Sequence, residues 1–355
     1  MAEEFSRERE LIGYFCDFVP EELLHAAGFT PIRITGTRKP VSLADRHLQS
    51  NVCSFARSCL ELALDGTYAY LSGVVIPHSC DVITKMNDLW AYRVKRPDFC
   101  HYLWYPHKVN DPNARSAFIG EVRRLKSCLE NLTENEISDA ALQDSILLYN
   151  QNRRLLQQAY ELRETNPPAL SGTEAIEITL SSVLAPKEIH SRRLTRLLDS
   201  LKAHDHPGNA RPRILVSAGV LDDTDLIETI EALGGAVVAD DVCTGIRYFW
   251  GDVREGGDPI EAIADRYLNK IPCPRTFDST ARIDFLMDNI TRYNVQGVIV
   301  YILRCCDAHL FQMPGLQERI KAGGVHLLHL QGDHSAPISE ETRTRIAAFI
   351  EMMGD

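Results

Sequence analysis

The chain has 355 residues, 45% hydrophobic and 25% charged, an ordinary composition for a globular protein with room for two packed α/β domains. Its formal charge of -11 argues against a nucleic-acid or anionic-membrane surface. No apolar run is long enough to span a bilayer and the charged start MAEEFSRERE does not read as a secretion signal, so a cytoplasmic protein without membrane association is expected.

Leu11 to Cys16 is predicted as a strand, Glu21 to Ala27 as a short helix and Pro31 to Thr35 as a second strand. Asn51 to Asp65 reads as a helix stopped by Gly66, a usual C-terminal signal. Gly73 to His78 follows as a strand, Cys80 to Val94 as a helix, and Phe99 to Tyr105 as a strand ending before Pro106. This alternation predicts a doubly wound parallel sheet in an N-terminal α/β domain over residues 1–111.

From Pro112 the spacing turns helical, and 112–207 reads as a mainly helical segment. Ile146, Leu147, Leu148, Leu155 and Leu156 can form one stripe, and Asn166-Pro167-Pro168 interrupts the pattern. Strand–helix alternation returns over 208–355, a C-terminal α/β domain. Its predicted strands are Arg213–Ser217, Ala236–Asp240, Gly297–Ile302 and Val325–Leu330. Its predicted helices are Asp225–Leu233, Ile283–Tyr293, Leu310–Ala322 and Glu340–Met353. The two halves share the order strand, Cys-Asp, helix, so two related α/β domains are expected to face each other across a cleft.

Those Cys-Asp steps carry the chemistry. One ends Gly73-Val-Val-Ile-Pro-His-Ser-Cys80-Asp81, the other Gly297-Val-Ile-Val-Tyr-Ile-Leu-Arg-Cys305-Cys306-Asp307. Ligands of open α/β sheets collect outside the carboxyl ends of the strands, where thiols far apart in sequence can meet. Cys53 opens the predicted Asn51–Asp65 helix in the same way. Thiolates are favoured at helix N-termini, and the free amides there can also hydrogen-bond the sulfurs of an iron–sulfur cluster. The alternative is three separately buried thiols. Structural zinc sites take close Cys or His pairs, and none is present. Cys305 and Cys306 are adjacent, so on an extended segment one faces the cleft and the other the core.

The stretch Asp240-Asp241-Val-Cys243-Thr-Gly245-Ile-Arg247-Tyr-Phe249 either brings backbone close to a ligand or is a strand-end turn with Asp capping. Ile271-Pro-Cys273-Pro-Arg275 reads as a constrained extended loop whose thiol is structural or functional. Cys16, Cys59, Cys128 and Cys100 lie in apolar patterns and read as core. His78 is a donor behind Cys80 or a satisfied strand-end histidine, and Asp81 and Asp307 suit first-turn helix carboxylates. There is no GxGxxG, GxxxxGK[ST] or GxSxG sequence, so any ATP hydrolysis that the chemistry needs is expected on another protein.

The ordered set Cys53-Ser-Phe-Ala-Arg57, Pro77-His-Ser-Cys80-Asp81, Asp241-Val-Cys-Thr-Gly-Ile-Arg-Tyr-Phe249, Pro272-Cys-Pro274 and Cys306-Asp307 resembles the 2-hydroxyacyl-CoA dehydratase and benzoyl-CoA reductase family. The closing Thr342-Arg-Thr-Arg345-Ile-Ala-Ala-Phe-Ile-Glu351 is similar too, and the likeness runs from about Leu11 to Met353. The resemblance implies two flavodoxin- or Rossmann-like parallel-sheet domains with helical additions, and a [4Fe–4S] cluster in the cleft. Three cysteines hold the cluster in that family; they carry over to Cys53, Cys80 and Cys306, with Cys305 the alternative to Cys306. Three protein ligands leave one iron open.

The resemblance further implies pairing with a similar or identical core subunit and a separate ATP-hydrolysing iron–sulfur activator that injects a low-potential electron. The acceptor is an acyl-CoA thioester, which becomes a ketyl-type radical anion. Dehydratases then eliminate water, whereas benzoyl-CoA reductases deliver electrons and protons to an aromatic ring. The Cys53-to-Lys108 region is closer to the reductase-type subunits. An electron-relay or structural partner subunit is the non-catalytic alternative. Double-cubane relatives carry a further cysteine before the strand leading to the Cys80 position; here Asp65-Gly-Thr67-Tyr-Ala-Tyr70 has none, which favours a single cubane.

Overall fold

The computed structural model describes residues 9–202, 211–277 and 280–354. The expected boundary at residue 207 lies outside them. The first sheet is built from β1 (Leu11–Tyr14), α1 (Glu21–Ala26), β2 (Thr30–Arg33), α2 (Ser54–Leu64), β3 (Gly73–Pro77), α3 (Asp81–Arg93) and β4 (Phe99–Leu103). All its strands are parallel, in the order β2-β1-β3-β4.

Four helices follow: α4 (Ala114–Thr133), α5 (Asp139–Glu161), α6 (Gly172–Leu184) and α7 (Lys187–Lys202). The proline break falls between α5 and α6, and α6 restarts on a capping box in which Ser171 and Glu174 satisfy each other's backbone amides. The second sheet then repeats the first: β5 (Arg213–Ala218), α8 (Asp225–Ala232), β6 (Ala236–Asp241), α9 (Ile246–Phe249), α10 (Pro259–Asn269), α11 (Thr280–Arg292), β7 (Gly297–Leu303), α12 (Asp307–Ala322), β8 (His326–Gly332) and α13 (Glu340–Gly354). Its order is β6-β5-β7-β8, again all parallel. This is the doubly wound α/β class expected, present twice.

Successive strand residues point to opposite faces, and both faces are buried. Val74, Ile76, Ile214, Val216, Ile299 and Tyr301 enter one apolar cluster shared by the two sheets. Val75 turns to an outer cluster on the first sheet, and Val298 and Val300 to an outer cluster on the second. The shared cluster is what holds the two sheets together.

One helix crosses over. α10 starts at Asp258, whose carboxylate accepts the Ile260 and Glu261 amides at 2.9 and 3.0 Å, with Pro259 in the first turn. Although it belongs to the second half of the chain, its Ile260, Ile263 and Tyr267 pack with Ile12, Tyr14 and Val75 of the first sheet. The chain leaving it reaches the first sheet's edge, where Phe277 N–H donates to the His107 carbonyl at 2.7 Å. That excursion carries Cys273 to the cleft.

Candidate functional site

Each sheet has a switch point between the two strands from which the chain departs in opposite directions, β1/β3 and β5/β7. The residues just past these strands converge on one cavity of about 120 Å³. Cys16 follows β1, Cys80 follows β3, Gly219 and Val220 follow β5, and Cys306 follows β7; all five line it. Cys53 enters from the start of α2, Cys243 from beyond β6 and Cys273 from the loop after α10. Six of the ten cysteines therefore face a single space.

Cys53, Cys80 and Cys306 are the N-cap residues of α2, α3 and α12. Burial pushes the Cys53 thiol up to about 11, against the pull of the Ala56 and Phe55 amides. Cys306 is pushed up to about 12 by burial, against the amide of His309. Cys80 is raised by burial and drawn back by the amides of Ile83 and Val82. Three half-buried thiols each facing first-turn amides form a donor set suited to a thiolate-bound metal cluster, and loading it would release their protons. Among the described residues no three His, Cys, Asp or Glu side chains gather closely enough for a single metal ion.

Cys305 takes a left-handed backbone (φ 64°) and is not among the cavity-lining residues, whereas Cys306 is. Cys16, expected as core inside a strand, does pack against the apolar clusters, but it lies beyond the end of β1 with φ 60° and also lines the cavity. Cys59 is fully buried core. Cys100 and Cys128 are only half-buried, and Cys100 points its thiol at Asn87 Oδ1 at 3.7 Å, away from the cavity.

His78 is a satisfied strand-end histidine: it stacks on His107 at 4.3 Å and its Nδ1 lies 3.1 Å from the Tyr105 carbonyl. Asp81 pairs with Arg275 across the cavity mouth. Asp240 caps the turn after β6, accepting the Ile246 amide at 2.8 Å, and pairs with Arg163 at 3.1 Å. The same turn delivers Cys243 and Arg247 to the cavity wall, so capping and ligand-facing roles coexist.

The cationic side of the cavity was only partly legible in the sequence, through the stretches that carry Arg247 and Arg275. Arg33, at the end of β2, is only 4% exposed and lines it; its Nη2 approaches Cys243 Sγ at 3.6 Å, while its Nε and Nη1 have no hydrogen-bond partner among the described residues. Arg247 pairs with Asp241 at 3.1 Å and donates to the Ala218 carbonyl at 2.8 Å. Asp17 pairs with Lys270; burial works against its charge, but Lys270, Arg33 and Arg247 outweigh it and hold the carboxyl below its ordinary range. His309, one turn into α12, is held neutral by burial and by Arg282 and Arg247. Arg247 and His309 had a sequence signal, lying within a few residues of Cys243 and Cys306; Arg33 had none.

With this geometry in place, the sequence matches the family described as 2-hydroxyglutaryl-CoA dehydratase, D-component, over residues 16–353. An Escherichia coli K12 protein named provisionally as the dehydratase subunit YjiM is 29% identical, aligned over 97% of this chain and 91% of its own length. One of the benzoyl-CoA reductase subunits of Thauera aromatica is 25% identical over 98% and 92%. The (R)-phenyllactyl-CoA dehydratase beta subunit of Clostridium sporogenes is 23% identical over 97% and 92%. No helix among the described residues is long and apolar enough to cross a membrane.

Proposed function

The chain belongs to the 2-hydroxyglutaryl-CoA dehydratase D-component family, and on that footing we propose that it is the iron–sulfur core subunit of an enzyme reducing an acyl-CoA thioester by one electron. One arrangement supports the reading: Cys53, Cys80 and Cys306, from helix N-termini of both sheets, line a single cavity. These three would hold a [4Fe–4S] cluster, which when bound supplies low-potential one-electron transfer. The electron comes from a separate ATP-hydrolysing iron–sulfur activator, and the cytoplasmic enzyme is made up by pairing with a similar or identical core subunit.

The chain's own residues shape the space. First-turn amides of α2, α3 and α12 stabilise negative charge on the sulfurs. Phe15, Phe55, Ile83 and Val220 provide apolar walls that exclude water. His309 presents a neutral imidazole that can donate a proton from one nitrogen only.

Aryl-CoA ring reduction is the leading reading. Elimination of water from an (R)-2-hydroxyacyl-CoA is the second, favoured by relatives named as dehydratases at 22–29% identity. The test is strictly anaerobic purification with iron and sulfide assays, followed by incubation of the assembled enzyme with its activator, ATP and either benzoyl-CoA or a 2-hydroxyacyl-CoA. Loss of the aromatic chromophore identifies the reductase; appearance of an enoyl-CoA identifies the dehydratase. A folded, air-protected chain with no iron refutes the reading. A cluster whose electron paramagnetic resonance ignores every acyl-CoA assigns this chain to electron relay instead.

A further inference from the structure

Asp17 is the one carboxylate among the described residues that line the thiol cavity, and the guanidinium groups beside it do not give up protons in proteins. Its carboxylate pairs with the Lys270 ammonium, which also donates to the Asp17 carbonyl at 3.0 Å. The two side chains are only 5% and 1% exposed. Lys270 in turn lines a second cavity, of about 310 Å³, together with Trp250, Asp252 and Arg266. The rim of this outer cavity includes the exposed Gly251, Asn269 and Ala281, so it opens to solvent. The partition between the two spaces is thin: Pro272 lines the outer cavity and Cys273, the next residue, lines the inner one.

The pair is set across that partition with one carboxylate oxygen toward each side. Asp17 Oδ2 takes the Lys270 ammonium, while Oδ1 lies 3.7 Å from the Sγ of Cys16, a cavity-lining thiol. Burial holds the Lys270 amine down to about 8, with Asp17 opposing and Arg266 assisting, so its proton is exchangeable near neutrality. Burial opposes the Asp17 charge, but Lys270, Arg33 and Arg247 outweigh it, and the pair rests ionised. A buried pair of this kind passes a proton inward when a stronger base forms on the cavity side.

We propose that Asp17 and Lys270 are a proton inlet, by which the inner cavity draws protons from water in the outer one. The inference rests on the one-electron reduction proposed above, in which each electron added to an acyl-CoA leaves a basic radical anion or carbanion. Lys270 breaks an N–H bond and hands the proton to the Asp17 carboxylate, and the Asp17 O–H hands a proton to that anion. The neutral amine, on its flexible four-carbon stem, then takes a proton from water in the outer cavity, and the hydroxide leaves with solvent. One proton enters for each one consumed, and neither side chain changes oxidation state.

The experiment measures turnover of the assembled enzyme, with its activator, ATP and the acyl-CoA it accepts, for wild type, Asp17→Asn/Lys270→Gln and Ala281→Trp. The double variant removes both buried charges at once, so neither is stranded. Ala281→Trp adds bulk at the exposed rim of the outer cavity. At unchanged iron content and KM, kcat should fall about 10²-fold in the double variant, the scale of a lost acid–base group, and several-fold in Ala281→Trp. The solvent deuterium isotope effect should rise in both, which a purely structural loss would not produce. Wild-type kcat in either variant overturns the inlet and leaves the reduction reading standing. If the double variant does not fold, Ala281→Trp and a labelling test decide. Cyanate carbamylates neutral amines, and peptide mass of the full chain reads Lys270 without any turnover. Labelling that Ala281→Trp suppresses several-fold supports the inlet, and equal labelling in the two overturns it. A chain that turns over no acyl-CoA yet labels as expected overturns the reduction reading rather than the inlet.

Discussion

Arg153→Met offers a quantitative test of how the helical segment is fastened to the first sheet. Glu22 of α1 is fully buried, pairs with Arg153 of α5 and accepts the Tyr267 hydroxyl of α10 at 2.9 Å. Burial pushes the Glu22 carboxyl up, but Arg153 and then Arg266 outweigh it, so it is held below its ordinary range. Its contribution is therefore fully present above the unfolded value and lost as pH falls through the folded one. Removing Arg153 inverts this: a buried carboxylate with one cation gone takes up a proton. Protonating a glutamate of reference pKa about 4.3 at pH 7 costs about 3.7 kcal/mol, and at pH 5 only about 1 kcal/mol. Arg266 remains nearby, so about 3.7 kcal/mol is a ceiling, close to the cost of breaking buried pairs generally, about 3–5 kcal/mol. The assay is urea unfolding of wild type and variant from pH 5 to 7.5. The expected penalty grows by about 1.4 kcal/mol per pH unit toward neutrality. Adding Glu22→Gln should abolish that slope and recover much of the loss. A penalty that is the same at pH 5 and pH 7.5 would refute the reasoning, because it would assign the cost to lost packing rather than to a stranded charge.

Three further outcomes follow from the site. In Gly245→Ala the new Cβ would collide with the Asp240 carboxylate, lying 2.9 Å from its Cγ and 3.3 Å from the Tyr160 hydroxyl, so the Arg163 pair must shift and a loss of about 2–4 kcal/mol is expected in urea unfolding. Asp222→Asn weakens a bridge between the halves, since Asp222 accepts the Gly36 amide at 2.8 Å and lies 2.7 Å from His334 Nε2; about 1.5–3 kcal/mol should be lost at pH 7. Burial opposes the Asp222 charge but His334 and Gly36 hold the carboxyl low, so the wild-type advantage should fade as pH falls through that lowered value, which a pH series of unfolding midpoints would record. Chelating iron from the anaerobic protein should lower its thermal midpoint, because a cluster bound only by the folded state stabilises that state; an unchanged midpoint in protein shown to have lost its iron would contradict the placement.

The strands were legible because burial on both faces leaves short, dense apolar runs such as Gly73–Ile76 and Gly297–Ile302 between turn signals, and all eight predicted strands overlap observed ones. α10 was missed although Asp258-Pro259 marks its start; its buried face is directed to the other sheet, which nothing local encodes. Cys53, Cys80 and Cys306 stood out because each precedes a helix. Cys16 did not: Leu11–Cys16 reads as a continuous strand, and the turn that ends it at Tyr14 depends on a left-handed residue that carries no glycine signal. Arg33 is harder still. It closes the run Thr30-Pro-Ile-Arg33 as a strand-end charge usually does, and only the fold shows that this end is roofed by the second sheet's loops.

That roofing explains why the site is built from both halves. A single doubly wound sheet offers one switch point, an open crevice in which a buried thiol would meet water. Here two sheets of the same order present β1/β3 and β5/β7 to each other, so each crevice is the other's lid. Neither half alone supplies more than part of the thiol set: Cys16, Cys53 and Cys80 come from the first sheet's loops, Cys243 and Cys306 from the second's, and Cys273 from the loop after the crossing helix. The consequence is mechanical as well as chemical. Opening the cleft must break the Gly36–Asp222 and Ser58–His334 links together with any metal–sulfur bonds between the halves, so access for a large ligand is expected along the cavity mouth near Arg275 rather than by parting the sheets. Arg275→Ala should therefore change the accessibility of Cys80 to alkylating agents far more than that of the core thiol Cys59; equal labelling of the two would mean that the halves part instead.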